Sequence, residues 1–250
     1  MMHAVRPLVL ALSLLALAGC DRSNPPSEQV EQAVEKAVAV VEGGEAPSGP
    51  FAPRDECGAL EGAQTFLNSL RSAVRLRDAD ALLALAADDI KLGFGGEDGA
   101  ANLRLALVEG DAALWDDLAE VVELGCAANA QGGLTMPWYF DQPIEGDPFE
   151  TMIVTGVDIP VRQAAQTGSP SLATVSWDTV QLAPQEDAGG TVSFGGDIDG
   201  WRLVRLPAED GVAPVEGYVR AEDLRSVVDY RLLAASHNGR WQIVALLAGD

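Results

Sequence analysis

Apolar residues in the segment ALEGAQTFLNSLRSAVRL recur every three or four positions, which places them on one face of a helix. These residues are Leu60, Ala63, Leu67, Leu70 and Val74. Asp78 and Asp80 begin the next apolar stretch, ALLALAA, and acidic side chains are favourable at the amino end of a helix. The pattern therefore predicts two consecutive helices, the first with a buried face.

The pattern changes after Asp88-Asp89, where IKLGFGG predicts a short strand that runs into a glycine turn. Two further stretches, AANLRLAL and DAALWDDLAEVVELG, have helical patterns, and LTMPWYF after them is typical of a strand. Helices and strands in this order predict an α+β fold with helices on an antiparallel sheet, not a repeating βα unit.

The last apolar runs, VVDYRLLAA and RWQIVALLA, are separated by SHNG. Asn238-Gly239 between two such runs predicts a hairpin with a type I′ turn, because both residues tolerate a positive φ. Strict alternation places Trp241, Ile243 and Leu247 on one face of the second strand, and Val244 and Leu246 on the other. Both faces are apolar, so both need to be covered.

The region between these parts resembles a bacterial SH3-like domain, a small β-barrel, from about Thr151 to Arg225. The resemblance rests on five steps in order: Ile159-Pro160-Val161-Arg162, the apolar stretch Leu172 to Val180, Gly200-Trp201 with Val204-Arg205, Gly217-Tyr218-Val219, and Leu224. It implies that Trp201 and Tyr218 are core or groove aromatics, and we predict them as binding residues. Pro160 and two lengthened loops depart from the family pattern.

Residues 55–140 resemble the front half of the nuclear-transport-factor-2-like or ketosteroid-isomerase-like cone fold, in a long first helix, an Asp-Ala-Asp step and AADDIKLGF. A small barrel that closes at Leu224 has no place for two more long strands. We therefore predict that the hairpin returns to the first sheet, so that residues 55–150 and 226–250 form one α+β domain with residues 151–225 inserted. The alternative is a separate hairpin, which would be marginally stable.

The first 19 residues have a short basic start and a brief apolar run, as secretory signals do. Leu17-Ala18-Gly19-Cys20 resembles a bacterial lipobox, which implies that Cys20 carries lipid and begins the mature chain. Residues 20–54 have the Pro-, Gly- and Glu-rich composition of a flexible acidic tether. We expect a lipid-anchored protein that faces the periplasm. Asp21 resembles an inner-membrane retention signal, which favours the inner membrane over the outer.

Charge limits the partners of this protein. Arg6 is the only basic residue among the first 19, so 15 Lys and Arg remain against 38 Asp and Glu. Nucleic acids are bound through basic patches, so the composition argues against DNA or RNA as a partner. Cys57 and Cys126 remain once Cys20 is acylated, and an even pair in an oxidising compartment predicts a disulfide. Two separate buried thiols are the alternative.

Catalytic groups are scarce. His3 lies in the signal, and His237 lies in the predicted hairpin turn, where a solvated residue is the usual role. This excludes the ordinary Ser-His-Asp and Cys-His arrangements and a His–Cys zinc site, so we predict no catalytic residue, metal or cofactor. Trp115, Trp138, Tyr139 and Phe140 are expected in the α+β core, with a position around a pocket as the alternative.

Two functions fit these observations. In the first, the chain is a non-enzymatic envelope lipoprotein whose SH3-like domain binds peptidoglycan peptides or an envelope protein. In the second, the cone-like domain binds a small apolar substrate or acts on it, with a carboxylate such as Asp89 as the base. The first function explains the anchor, the tether and the lack of a catalytic partner domain.

Overall fold

The described part of the chain contains a layer of helices, a first sheet and a second sheet. The computed structural model describes residues 47–95, 98–110, 112–186, 190, 192–207 and 213–249. The predicted signal 1–19, the acylation site Cys20 and the tether up to residue 46 lie outside the described residues. Within the described residues, no helix is long and apolar enough to cross a membrane.

The described residues form four α-helices, α1 to α4, at Ala63–Leu76, Ala79–Leu83, Ala100–Val108 and Ala113–Glu123. Short 3₁₀ turns lie at Cys57–Ala59, Trp138–Asp141 and Ala221–Asp223. The predicted face of α1 is buried from Ala63 to Val74. Asp78 caps α2 as expected, since its carboxylate accepts a hydrogen bond of 3.0 Å from the Ala81 amide.

The strands β1 to β14 are Ala86–Lys91, Ala127–Ala128, Leu134–Met136, Thr151–Val154, Ile159–Arg162, Ser171–Val175, Thr179–Leu182, Pro184–Glu186, Val192–Phe194, Trp201–Arg205, Glu216–Arg220, Leu224–Ser226, Arg231–His237 and Arg240–Leu247. The first sheet has the order β1-β14-β13-β3-β2, in which β1 is parallel to β14 and the other pairs are antiparallel. The predicted α+β class is confirmed, but the prediction of a wholly antiparallel first sheet is wrong at β1, which pairs with β14 in parallel. The strand predicted at LTMPWYF ends at Met136, because Pro137 has no N–H to continue the ladder.

The carboxy-terminal hairpin occupies the centre of the first sheet, between β1 and β3. Asn238 and Gly239 have φ values of 51° and 78°, as the predicted type I′ turn requires. The predicted alternation along β14 is wrong beyond Ile243. The register shifts there, because Ala234 faces Ile243 while Leu233 faces Ala245, and Val244 becomes an extra residue. Leu246 therefore joins the helix-facing core, and Leu247 is half-buried outside that core.

The second sheet has the order β12-β4-β7-β10-β11-β5-β6, and all its pairs are antiparallel. It contains each of the motifs on which the SH3-like resemblance rests. The sheet is open, with β12 and β6 at its two edges, and the described residues contain no closed barrel. Strands β8 and β9 form a separate two-stranded arm.

Both faces of the first sheet are covered. One face packs on the helices, where Leu232, Trp241, Ile243 and Leu246 of the hairpin meet α1 to α4. The other face contributes Ala127 to a second cluster, which also holds Trp138 and Tyr139 together with Ile153 of the second sheet. The two predicted structural regions therefore share a hydrophobic core, which we call the junction cluster.

Candidate functional site

The two predicted binding aromatics lie on one face of the β10–β11 pair, but they are not equally accessible. Trp201 is opposite Arg220 and Tyr218 is opposite Leu203, and directly opposite residues project to the same side of a sheet. The Trp201 ring is 4% exposed, and the Arg220 guanidinium lies 5.0 Å from its centroid. Tyr218 is half-buried. Of the two predicted residues, Tyr218 is the one with surface to offer a ligand.

A shallow groove of about 430 Å³ lies between Tyr218 and the β8–β9 arm, and we call it the Tyr218 groove. Leu203 and Ile198 contribute apolar surface, while Gln185, Glu186 and Ser193 contribute polar groups. Val192 and Phe194 of β9 are exposed, but they alternate along the strand with Ser193 and do not line the groove. Exposed apolar side chains that cluster on an acidic surface are typical of an interaction site.

The arm that forms one wall of this groove is anchored to the second sheet at Gly195. The Gly195 amide donates to the Ala183 carbonyl at 3.0 Å, and the Arg202 guanidinium donates to the Gly195 carbonyl at 2.5 Å. Gly195 has a φ of 55°, and a Cβ at this position would lie 2.3 Å from the Leu182 side chain. Glycine is therefore required where the arm leaves the sheet.

A second, acidic cleft of about 610 Å³ lies beside the junction cluster. Pro53, Leu124, Trp177 and Leu224 provide its apolar surface, and its ionisable groups are Asp117, Glu120, Glu123, Glu222, Asp229 and Arg225. Trp177 has a φ of 45°, which is unusual for a bulky residue. Two backbone hydrogen bonds hold this conformation. The Phe51 amide donates to the Trp177 carbonyl, and the Trp177 amide donates to the Gly156 carbonyl.

Arg225 is the buried charge of this cleft. Its side chain is 3% exposed and contacts Glu120, whose side chain is 61% exposed, and Asp229 at 3.7 Å, whose side chain is 35% exposed. Its Nε and the nearby Tyr139 hydroxyl have no hydrogen-bond partner among the described residues. Burial, and then the charge of Asp229, raises the pKa of Asp117. Burial also raises the pKa of Tyr139, so its hydroxyl stays protonated.

We expect the double variant Glu120→Gln, Asp229→Asn to unfold at lower urea concentration than the wild type. Without these two carboxylates, the buried Arg225 guanidinium loses both of its ion-pair partners, a change that typically costs about 3 kcal/mol. Adding Arg225→Met to the double variant should restore most of this loss, since it removes the buried charge. Asp116→Asn on the exposed side of α4 is the matched control. Unchanged unfolding of the double variant would show that Arg225 needs neither carboxylate.

The aromatic residues predicted for the α+β core are buried or half-buried. Trp115 is buried and donates to the Leu107 carbonyl at 3.1 Å, and Trp138 is buried beneath the Arg54 guanidinium at 4.5 Å. Phe140 is half-buried, stacks on Tyr139 and lines a third cavity. His237 is exposed beside the hairpin turn. The core and pocket positions predicted for the aromatics therefore both occur.

Cys57 and Cys126 are buried and joined by a disulfide, with Cα atoms 5.7 Å apart. The bridge ties the segment before α1 to the end of the α4 region, where the Cys126 amide also donates to the Arg54 carbonyl at 2.7 Å. Among the described residues, the Asp55 carboxylate and the two sulfurs lie close enough together to form a potential metal-binding group. Because both sulfurs are bonded to each other, this group offers no thiolate to a metal.

Replacing both cysteines by alanine should lower the free energy of unfolding by about 2–5 kcal/mol, because the bridge closes a long loop in the unfolded chain. Thermal melting of the double variant, compared with the wild type before and after treatment with reductant, measures this loss. Mass analysis of non-reduced peptides should recover Cys57 linked to Cys126. Two free thiols in protein purified without reductant would contradict the bridge.

The sequence does not predict Arg225 or Trp177 as parts of a cleft. Sequence pattern places Arg225 at the end of the inserted region, and its only signal of burial is the apolar residues on either side, Leu224 and Val227-Val228. No protein-family model matches this chain, and no curated protein shows significant sequence similarity to it.

Proposed function

We propose that this protein is a non-enzymatic lipoprotein of the bacterial cell envelope that binds peptidoglycan peptides through the Tyr218 groove. In this proposal, lipid on Cys20 holds the protein at a membrane, with the inner membrane favoured, and the predicted tether carries the folded part into the periplasm. The last residues predicted for the tether pack on the folded part instead, since Ala52 is buried and the Phe51 amide donates to the Trp177 carbonyl. The lipobox-like sequence Leu17-Ala18-Gly19-Cys20 supports the anchor. The groove supports the binding activity.

The proposal includes an SH3-like module at residues 151–225, inserted into a cone-like α+β domain. The ends of this region are close together, as an insertion requires, because the Val227 amide donates to the Thr151 carbonyl at 3.4 Å. The hairpin of β13 and β14 follows the insertion in the chain, but it pairs within the first sheet. The main departure from the family's barrel is that the sheet does not close, because its edge strands β12 and β6 do not pair with each other.

The observation that carries the proposed activity is the pairing of a half-buried tyrosine with an exposed apolar strip. Tyr218 and Leu203 give a floor on which an extended peptide can lie, and Ile198 extends it. Gln185 and Ser193 can hydrogen-bond to peptide groups, and the Glu186 carboxylate can bind an amino group. Peptidoglycan peptides combine small apolar side chains, amide groups and a free amine, so they fit this set.

The enzymatic alternative has less support from the geometry. Asp89, the carboxylate named as an example of its base, is exposed on β1 at the edge of the first sheet. A small apolar substrate needs an enclosed apolar site around the base. His237 is also exposed, in the hairpin turn, and does not supply a second acid–base group in an enclosed site.

We expect Tyr218→Ala to weaken binding to purified peptidoglycan by at least about tenfold, the loss typical of an aromatic residue at the centre of a binding surface. Co-sedimentation of the soluble protein with purified peptidoglycan measures this effect. Phe94→Ala is the matched control, because Phe94 is exposed outside the groove and its replacement also removes an aromatic ring. Melting curves of both variants test that the fold is intact.

Equal sedimentation of wild type and Tyr218→Ala would contradict the role of the groove. If the wild type does not sediment with peptidoglycan, the proposed ligand is wrong. An envelope protein then becomes the expected partner, and crosslinking from a photoreactive residue at position 193, which lines the groove, would identify it.

A further inference from the structure

A third cavity of about 530 Å³ lies between the outer face of the first sheet and the segment that leads into the second sheet. Thr135 of β3 and Leu233 of β13 are directly opposite each other and face away from the helical core. Phe140 and Gln142, from the segment after β3, line the same space. We call this space the junction cavity, and its volume is in the range of small-molecule sites.

Several polar groups of the junction cavity keep unused hydrogen-bonding capacity. The Thr135 hydroxyl is buried and accepts from the Asn129 amide at 3.3 Å, which leaves its own proton to donate. The half-buried Gln142 side-chain amide and the Asp141 carboxylate form no hydrogen bond with the described residues. Polar groups that converge on a partly apolar cavity are typical of a ligand site.

The charge of the junction cavity differs from that of the acidic cleft. Arg231 and Asp141 are the charged residues among the described residues that line it, so their charges balance. By contrast, five carboxylates and one arginine line the acidic cleft. The Arg231 guanidinium lies 5.3 Å from the centroid of the Phe140 ring, a cation–π contact between two residues that line the cavity. An anionic group is therefore less strongly repelled here than in the acidic cleft.

We propose that the junction cavity binds an α-carboxylate that adjoins a small apolar side chain. The Arg231 guanidinium and the Thr135 hydroxyl would bind the carboxylate. Phe140 and Leu233 would contact the apolar side chain, and Asp141 and Gln142 would bind the neighbouring amine or amide. Free alanine and the carboxy-terminal end of a short alanine peptide share this chemistry. The site is separate from the Tyr218 groove and does not rest on the function proposed for that groove.

Isothermal titration of the soluble protein, residues 21–250, with alanine, with alanyl-alanine of either chirality and with amidated alanyl-alanine tests the proposal. We expect saturable binding of at least one free carboxylate ligand and at least about tenfold weaker binding of its amidated form, because the amide lacks the charge. Tighter binding of the dipeptide than of alanine would identify a peptide end as the ligand. The reverse order would identify a free amino acid.

Arg231→Met should weaken binding by at least about tenfold, whereas Arg240→Met, on the adjacent strand and exposed, should leave it unchanged. Leu233→Trp keeps Arg231 and should abolish binding by filling the cavity. Tyr218→Ala should have no effect, so a failure of the groove proposal is distinguishable from a failure of this one. The absence of saturable binding of every probe would overturn the proposal. So would binding that neither Arg231→Met nor Leu233→Trp reduces.

Discussion

Truncation of the chain before Val228 is expected to abolish the cooperative unfolding transition of the helices. The truncation removes β13 and β14, which are the central strands of the first sheet, so β1 loses its partner and β2–β3 remain as a short ribbon. The helix-facing core loses four large buried side chains, Leu232, Trp241, Ile243 and Leu246. Burial of each is worth about 1.5–3 kcal/mol, and the stability of a whole domain is about 5–15 kcal/mol.

Circular dichroism during heating measures this effect, and a chain that lacks only residues 248–250 is the control. Two single variants locate the cause. Leu246→Ala should cost about 2–4 kcal/mol, because Leu246 is buried in the core, whereas Leu247→Ala should cost much less. A truncated chain that keeps the helical transition would show that the hairpin is not needed for the fold.

The Cys20→Ala variant is expected to move from the membrane fraction to the soluble envelope fraction. Lipid chains on Cys20 would contribute about 0.8 kcal/mol for each buried methylene group, and two or more chains give a stable anchor. None of the described helices could replace that anchor by crossing the membrane. Cell fractionation, together with incorporation of a labelled fatty acid, measures both the location and the acylation.

Asp21→Ser is the matched variant, because it keeps the acylated cysteine and changes the residue that resembles a retention signal. We expect it to remain membrane-bound and to shift from the inner to the outer membrane. Membrane association of Cys20→Ala that equals that of the wild type would contradict lipid anchoring. Outer-membrane location of the unchanged protein would contradict only the retention signal.

The shared junction cluster changes what is expected from deletion of residues 151–225. Independent folding of the two regions would allow a Gly-Ser linker to replace this segment without loss. However, Ile153 and Trp177 from this segment pack with Ala127 and Tyr139 from the first region. Replacement of the segment therefore exposes the outer face of the first sheet, and the remaining α+β part is expected to be less stable than it is in the full chain.

Local sequence signals predicted several local elements, but not the boundary between α2 and β1, because β1 begins at Ala86, inside the stretch predicted as helix. The helical spacing from Ala63 to Val74 gave α1, Asp78 gave the cap of α2, and Asn238-Gly239 gave the turn of the hairpin. Each of these features depends on residues that are neighbours in the chain, through backbone conformation or a short-range hydrogen bond. The order of these elements was enough to predict the α+β class.

The candidate site was only partly predictable. Tyr218 could be selected from its motif, but the same argument selected Trp201, which is buried beneath Arg220. Sequence shows that an aromatic residue lies on a strand, whereas its exposure depends on what packs against that strand. The groove also needs the β8–β9 arm, whose position follows from the contacts of Gly195 with Ala183 and Arg202.

The sequence by itself determined the elements, the turn chemistry and the strongly acidic composition, because these are properties of single residues and their neighbours. Tertiary structure alone decided the bulge at Val244, the burial of Arg225 and the junction cavity around Phe140. The bulge lies where β14 also pairs with the distant strand β1, and the other two features join segments that are distant in the chain. Their energies depend on packing and on electrostatic screening across that distance, and a local pattern of apolar and polar residues does not encode either.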